Sequence, residues 1–337
     1  MRVLEPHCEW TAGDLADEDG WTVHLTVEER AELDSALRHA VRQSTDPLEL
    51  SADDFPLGGF VHRLAAVELE LINGRGFVRL RGIDRSAYTQ DEMELLYWGL
   101  GLHLGVPLAQ NKHGHVLGDV TDQERSVADP TARGNELGGI ALPFHCDGAD
   151  LVGLLCLENG MGGGLSAVSN AVRIHNRLVR EQPELAAVLY RPFPYDFRGE
   201  QPPDAPAYYE LPVFTEWDGR LFVRCIPPYI WASQRLPEAP RLTDVQQEAL
   251  RVVETMAEDP DNHVLMDLRP GDIQFINNFH VLHGRTAYVD DRPTGRVRHL
   301  KRLWLETDEL ASRPPHFARR SHWETNRSAS RLRPAAG

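Results

Sequence analysis

Apolar and polar positions along the chain change period several times. Over 26–44, TVEERAELDSALRHAVRQS, apolar residues recur every three or four positions, which predicts a helix. Thr26 and Glu29 have the spacing of a capping box at its start. FVHRLAAVELELINGRG predicts a second helix that stops near Gly74. TQDEMELLYWGLGLHLG predicts a third, from Thr89 to about Gly105. Between the last two, GFVRLRGI at 76–83 alternates as a half-buried strand does. Residues 106–139 show little periodicity and much Gly and Asp. They predict a long irregular connection, a common place for binding loops.

From about Ile140 the pattern turns strand-rich. DLVGLLCLEN predicts a buried strand, and GMGGGLSAVS a Gly-rich bend leading into a helix, NAVRIHNRLVREQPELAAVLY. LPVFTEWDGRLFVRCI predicts two short strands around an Asp218-Gly219 turn. TDVQQEALRVVETMAED predicts a helix capped by Thr243. Strand signals flank the Pro-Gly-Asp turn of HVLMDLRPGDIQFINNFHVLHGRTAYV, and RVRHLKRLWL, 296–305, is the last strong strand. Repeating strand–helix units are missing, which argues against a parallel α/β fold. The order predicts a mainly β protein with helices: a double-stranded β-helix (jelly-roll) core with N-terminal and inserted helices. No repeat or linker divides the chain. We expect a single domain over 1–337, with a helical N-terminal segment over residues 1–75, a core of about 76–305 and a basic tail over 307–337.

Composition narrows the function. With 337 residues and 42% hydrophobic content, the chain can bury a sizeable core. Its net charge of -16 disfavours nucleic acid, anionic membrane and polyanionic substrates. The arginines of the tail (Arg313, Arg319, Arg320, Arg327, Arg331 and Arg333) are expected to pair with the protein's own acidic surface. MRVLEPHCEW holds no apolar run of signal-peptide length, and no segment reaches the length of a membrane span. The cysteines Cys8, Cys146, Cys156 and Cys225 form no CxxC, so a reducing cytoplasm is the expected home. The oligomeric state is left open.

The chemistry starts at ALPFHCDGAD, 141–150. Residues two apart on a strand share a face, so His145 and Asp147 are expected to chelate one ion while Cys146 points away. A third ligand should come from the opposing sheet, and NNFHVLHGR offers His280 and His283. Two imidazoles and a carboxylate on one face of an octahedral ion form the facial triad of non-haem Fe(II) oxygenases. Zinc in a hydrolase is the alternative, and a non-catalytic jelly-roll binding module is another. On the last strand Arg298, Leu300, Arg302 and Trp304 share one face, and His299, Lys301, Leu303 and Leu305 the other. Two buried arginines need a bound anion or acidic neighbours. In the long connection, Gln110, Asn111 and Asp119 are pocket candidates by position and polarity.

FHCDGAD, GGGLS, RPGDIQFINNFHVLHGRTAY and RHLKRLWL occur in this order, and over most of 76–305 the chain resembles the Fe(II)/2-oxoglutarate-dependent dioxygenases of the taurine dioxygenase and clavaminate synthase-like superfamily. The resemblance implies that His145, Asp147 and His283 bind Fe(II); the Gly-Arg after His283 selects it over His280. It implies that Arg298, with Arg296 as fallback, anchors 2-oxoglutarate, with Ser166 assisting. It implies a reaction with O2 that releases succinate and CO2, beginning with hydrogen abstraction from an unactivated C–H and ending in hydroxylation, or in desaturation, ring closure or epimerisation. Family members that chlorinate lack a carboxylate at the place of Asp147. By the same resemblance Arg302 contacts a substrate carboxylate, pointing to a small-molecule substrate such as a free amino acid or derivative from specialised metabolism.

Overall fold

Two β-sheets face each other in the computed structural model, which describes residues 1–317. The larger has seven strands. Its order is Thr22–His24, Phe77–Arg81, Ile273–Asn277, Leu151–Glu158, His299–Glu306 and Val106–Pro107, with Leu117–Val120 also paired to His299–Glu306. All its pairings are antiparallel except that of the first two strands. The smaller sheet runs His263–Met266, Ser166–Asn170, Val281–Arg285, Leu142–His145, antiparallel throughout. This is the expected double-stranded β-helix.

Side-chain alternation sorts the core into layers. Along Leu151–Glu158, Leu151, Leu155 and Leu157 point outward and pack with the helices Val27–Gln43, Phe60–Asn73 and Gln90–Leu102. Val152 and Cys156 point inward and join Val168, Ile276, Leu300 and Trp304 between the sheets. Behind the smaller sheet lie Ala171–Glu181, Pro183–Leu189 and Asp244–Glu258, packed around Leu178, Phe214, Leu250 and Cys146. Gly153 faces the helical side. A Cβ there would lie 2.3 Å from Tyr97 Oη, so glycine lets the helix Gln90–Leu102 sit directly on the sheet.

Local chemistry explains where the elements start and stop. Thr26 with Glu29, Thr89 with Glu92, and Thr243 with Gln246 form reciprocal capping boxes. Asp218 and Gly219 both have positive φ, 50° and 79°, as a tight hairpin between Phe214–Trp217 and Arg220–Val223 requires. Four expectations change. The GMGGGLSAVS segment ends in a strand, Ser166–Asn170, rather than a bend into a helix. The following helix is two helices, because Pro183 has no N–H with which to continue the first. The irregular connection contains the strand Leu117–Val120. Strands also stop short of two site residues: Leu142–His145 ends before Asp147, and His299–Glu306 begins after Arg298.

Arg313 pairs with the buried Asp150 at 3.1 Å and with Glu306 at 3.8 Å. The tail arginines Arg319, Arg320, Arg327, Arg331 and Arg333 lie outside the described residues. Among the described residues, no helix is long and apolar enough to cross a membrane.

Candidate active site

His145 and His283 are directly opposed partners on neighbouring antiparallel strands, with ring centroids 4.4 Å apart. They therefore share one sheet, where the sequence predicted ligands from opposing sheets. Asp147 stands in the turn just beyond the strand end. Its N–H donates to Asn278 Oδ1 at 3.1 Å, and its carbonyl accepts from Arg224 Nη1 at 2.8 Å. Strand alternation does not aim this carboxylate; the two backbone contacts do. The potential ligand atoms of His145, Asp147 and His283 all lie within 4.8 Å of one another.

The protonation states fit a metal. His145 Nδ1 is 2.8 Å from the Pro143 carbonyl, so Nδ1–H donates there and Nε2 is the nitrogen available to a metal. Burial, with the neighbouring His145, pushes His283 down to about 3, which leaves it neutral near pH 7. Burial alone would raise the Asp147 carboxyl, but the Arg302 guanidinium and the Trp304 indole N–H hold it well below the usual carboxylate range. Two imidazoles and one carboxylate form a nitrogen- and oxygen-donor set suited to Fe(II). His280 lies elsewhere. Its Nε2 is 3.4 Å from Glu5 Oε1, and it clusters with Glu5 and Cys8 beneath the N-terminal segment.

A cavity of about 1140 Å³ opens over the triad. On one side stand Arg298 and Arg285, both buried. Arg298 donates from Nη2 to the Gly164 carbonyl at 3.2 Å, and Arg285 from Nη2 to the Leu137 and Ile140 carbonyls. Arg298 Nη1 and Arg285 Nε and Nη1 have no hydrogen-bond partner among the described residues. Asp290 spends Oδ1 on the Arg298 backbone N–H, not on its guanidinium. Burial, then the Arg285 charge, pulls Arg298 down to about 10. Two guanidinium groups with no ion-pair partner among the described residues stand side by side and form a cradle for an anion. Ser166 lines the same cavity, and its hydroxyl donates to Gln274 Oε1 at 2.7 Å. Arg285 and Gln274 escaped sequence reasoning, although Arg285 stands two positions beyond His283 on the same strand.

Arg302 also reaches the cavity. Its Nη1 lies 3.1 Å from Asp147 Oδ2, and its Nε donates to Gln110 Oε1 at 2.8 Å. The structure does not bring Gln110, Asn111 or Asp119 to the cavity lining; Gln110 stands behind Arg302 and holds it. Asn111 closes its own loop, through Oδ1 to the backbone of His113 and His115. Asp119 sits opposite Lys301 on the helix-facing side, 2.6 Å from both Lys301 Nζ and His299 Nε2. Arg296 reaches the Gly160 carbonyl at 3.4 Å and is not in the lining.

The family model for the taurine catabolism dioxygenase TauD, TfdA family matches residues 41–304. FR-33289 synthase of Streptomyces rubellomurinus (strain ATCC 31215) is 32% identical over 302 residues, covering 89% of each chain. The taurine hydroxylase-like protein SAT17 of Stachybotrys chartarum (strain CBS 109288 / IBT 7711) is 27% identical over 325 residues, covering 93% of this chain and 82% of that one. Among solved structures, asparagine oxygenase in complex with Fe(II), 2S,3S-3-hydroxyasparagine and succinate superposes with a TM-score of 0.65 at 20% identity, over 85% of this chain and 94% of that one. The non-heme iron oxygenase OrfP with Fe and alpha-ketoglutaric acid gives 0.63 at 18%, over 86% and 94%. The two structures share the fold; the family model and the relatives carry the assignment. The chain belongs to the TauD, TfdA family and is a non-haem Fe(II)- and 2-oxoglutarate-dependent dioxygenase.

Proposed function

We propose that this enzyme hydroxylates an sp3 carbon of a small carboxylate-bearing substrate, a free amino acid or close derivative from specialised metabolism. His145, Asp147 and His283 would hold Fe(II), which supplies the oxidising chemistry with O2 and 2-oxoglutarate when bound. Arg298, assisted by Arg285 and Ser166, would take the far carboxylate of 2-oxoglutarate. Arg302 would take the substrate carboxylate, held at its Nε by Gln110. The buried Arg302 guanidinium beside Asp147 carries this reading, because it places a cation within one side chain of the metal set. The solved asparagine oxygenase and OrfP complexes hold hydroxylated amino acids, a parallel that supports the substrate class. The whole chain would act as one domain. Its four cysteines are buried free thiols, which supports a reducing cytoplasm.

Succinate release, stimulated by a panel of free amino acids and their methyl esters, tests this reading. Free acids should stimulate and esters should not, and Arg302→Ala should raise the KM of the active acid. Equal stimulation by esters, with no effect of Arg302→Ala, would refute the carboxylate anchor.

A further inference from the structure

The cavity contains more cations than this reading uses. Arg133, in the loop before the strand Leu142–His145, lines it, and the nearest oxygen of its ion-pair partner Glu200 is 4.0 Å away. Arg224 follows the hairpin strand Arg220–Val223. It donates Nη1 to the Asp147 carbonyl, while its buried Nε has no hydrogen-bond partner among the described residues. Arg198 lies over the Tyr229 ring at 5.2 Å, donates to the Ala132 carbonyl, and its Nε likewise has no partner among the described residues. No carboxylate pairs with Arg198 or Arg224 among the described residues.

Four carboxylates line the same cavity, Asp147, Asp196, Glu200 and Glu210, against six arginines. Asp147 belongs to the metal set, and Asp196 pairs with Arg235 at 2.9 Å while accepting the Arg198 N–H. Buried cations without partners are costly. A chain of net charge -16 had carboxylates to spare, yet among the described residues none is ion-paired with Arg224. Arg133, Arg224 and Arg302 line one cavity, so these guanidinium groups share one region. Tyr209 and Tyr229 line the same cavity. The acidic surface suggested an aversion to highly charged substrates, whereas the cavity is a basic island within it.

We propose that Arg133 and Arg224 form a second anion subsite, so that the substrate carries a second negative group besides the carboxylate at Arg302: a side-chain carboxylate or a phosphate- or phosphonate-type oxyanion. The proposal rests on the Arg302 reading and narrows it from amino acids generally to dianionic ones. Guanidinium groups suit either oxyanion, because the fork of N–H donors matches both.

Matched pairs test it. Anaerobic full-length enzyme with Fe(II) and saturating 2-oxoglutarate would be titrated calorimetrically with L-aspartate against L-asparagine, L-glutamate against L-glutamine, and O-phospho-L-serine against L-serine. At least one charged member should bind about tenfold or more tighter than its neutral partner, and which pair responds separates carboxylate from phosphate. Arg133→Gln should bring that ratio towards one with the neutral partner's affinity unchanged, and Arg133→Lys should keep some of it; Arg224→Gln, which also releases the Asp147 carbonyl, should lower the ratio whatever it does to the neutral partner's affinity. Ratios near one in all pairs, no binding by any charged member, or a ratio untouched in both variants would overturn the subsite. If a glutamine variant does not fold, the wild-type ratios and Arg133→Lys still decide. Failure of the Arg302 reading looks different: methyl esters would then bind as tightly as free acids, whatever the charge ratio.

Discussion

Gln110 grips Arg302 twice. Its Oε1 accepts from Arg302 Nε at 2.8 Å, and its Nε2 donates to the carbonyl of the same residue at 2.8 Å. Gly118 makes room, since a Cβ there would lie 2.8 Å from Gln110 Oε1. Side chain and backbone of the anchoring arginine are thus fixed by one amide. Gln110→Ala should raise the substrate KM about tenfold with little change in kcat, because Arg302 keeps its charge but loses its aim. Iron content and 2-oxoglutarate affinity should be unchanged. Steady-state kinetics with parallel iron analysis would check this; equal losses in kcat and iron would mean a general structural defect.

Removing any of His145, Asp147 or His283 by alanine substitution should abolish stoichiometric Fe(II) binding after anaerobic loading and desalting. His280→Ala should retain one iron per chain, because His280 faces Glu5 rather than the triad. One iron retained in His283→Ala and lost in His280→Ala would reverse the choice of distal ligand.

Arg298→Ala should shift 2-oxoglutarate binding by a hundredfold or more, given about 3–5 kcal/mol for a buried charged pair losing one partner. Arg285→Ala should shift it by about tenfold, since Arg285 retains two carbonyl contacts and a smaller share of the anion. The visible charge-transfer absorption of the anaerobic Fe(II)–2-oxoglutarate complex reports chelation directly. A normal titration in Arg298→Ala would move the role to another arginine.

Asp119 is a stability prediction. Burial alone would raise its carboxyl, but His299 and the Lys301 ammonium pull it down to about 2. The folded pKa lies below the unfolded one, so the stabilisation is present above about pH 4 and is lost as pH falls towards 2. Asp119→Asn should cost about 2 kcal/mol at neutral pH and flatten the acid limb between those values. Urea melts at a series of pH values would show whether wild type and variant converge near pH 2.

What the chain reveals of itself before folding depends on the range of the forces involved. The capping boxes at Thr26, Thr89 and Thr243 and the Asp218-Gly219 turn are local chemistry, and each lies where its spacing predicts. Ser166–Asn170 was illegible because all five residues are buried, on both faces, so no alternation marks them as a strand. Leu117–Val120 is a strand only through its pairing with the last strand; LGDV has little strand preference of its own. HxD spacing pointed to His145 and Asp147, but not to the in-register meeting of His145 with His283, a long-range pairing. Arg133 and Arg224 belong to no motif, and only the packing of loop and hairpin around the triad brings them to one cavity.

The last strand of the larger sheet is also its seam. His299–Glu306 is bonded on one side to Leu151–Glu158 and on the other to Leu117–Val120 and Val106–Pro107. As the chain leaves the ribosome, three earlier strands must wait for a segment some 150–200 residues behind them. Until it arrives their backbone edges are open and Arg302 has not yet met Gln110. Such distant pairing slows folding and exposes strand edges to other chains. A chain shortened before residue 299 would keep all three triad residues yet lack the seam, and it should accumulate as aggregate rather than as a weak enzyme.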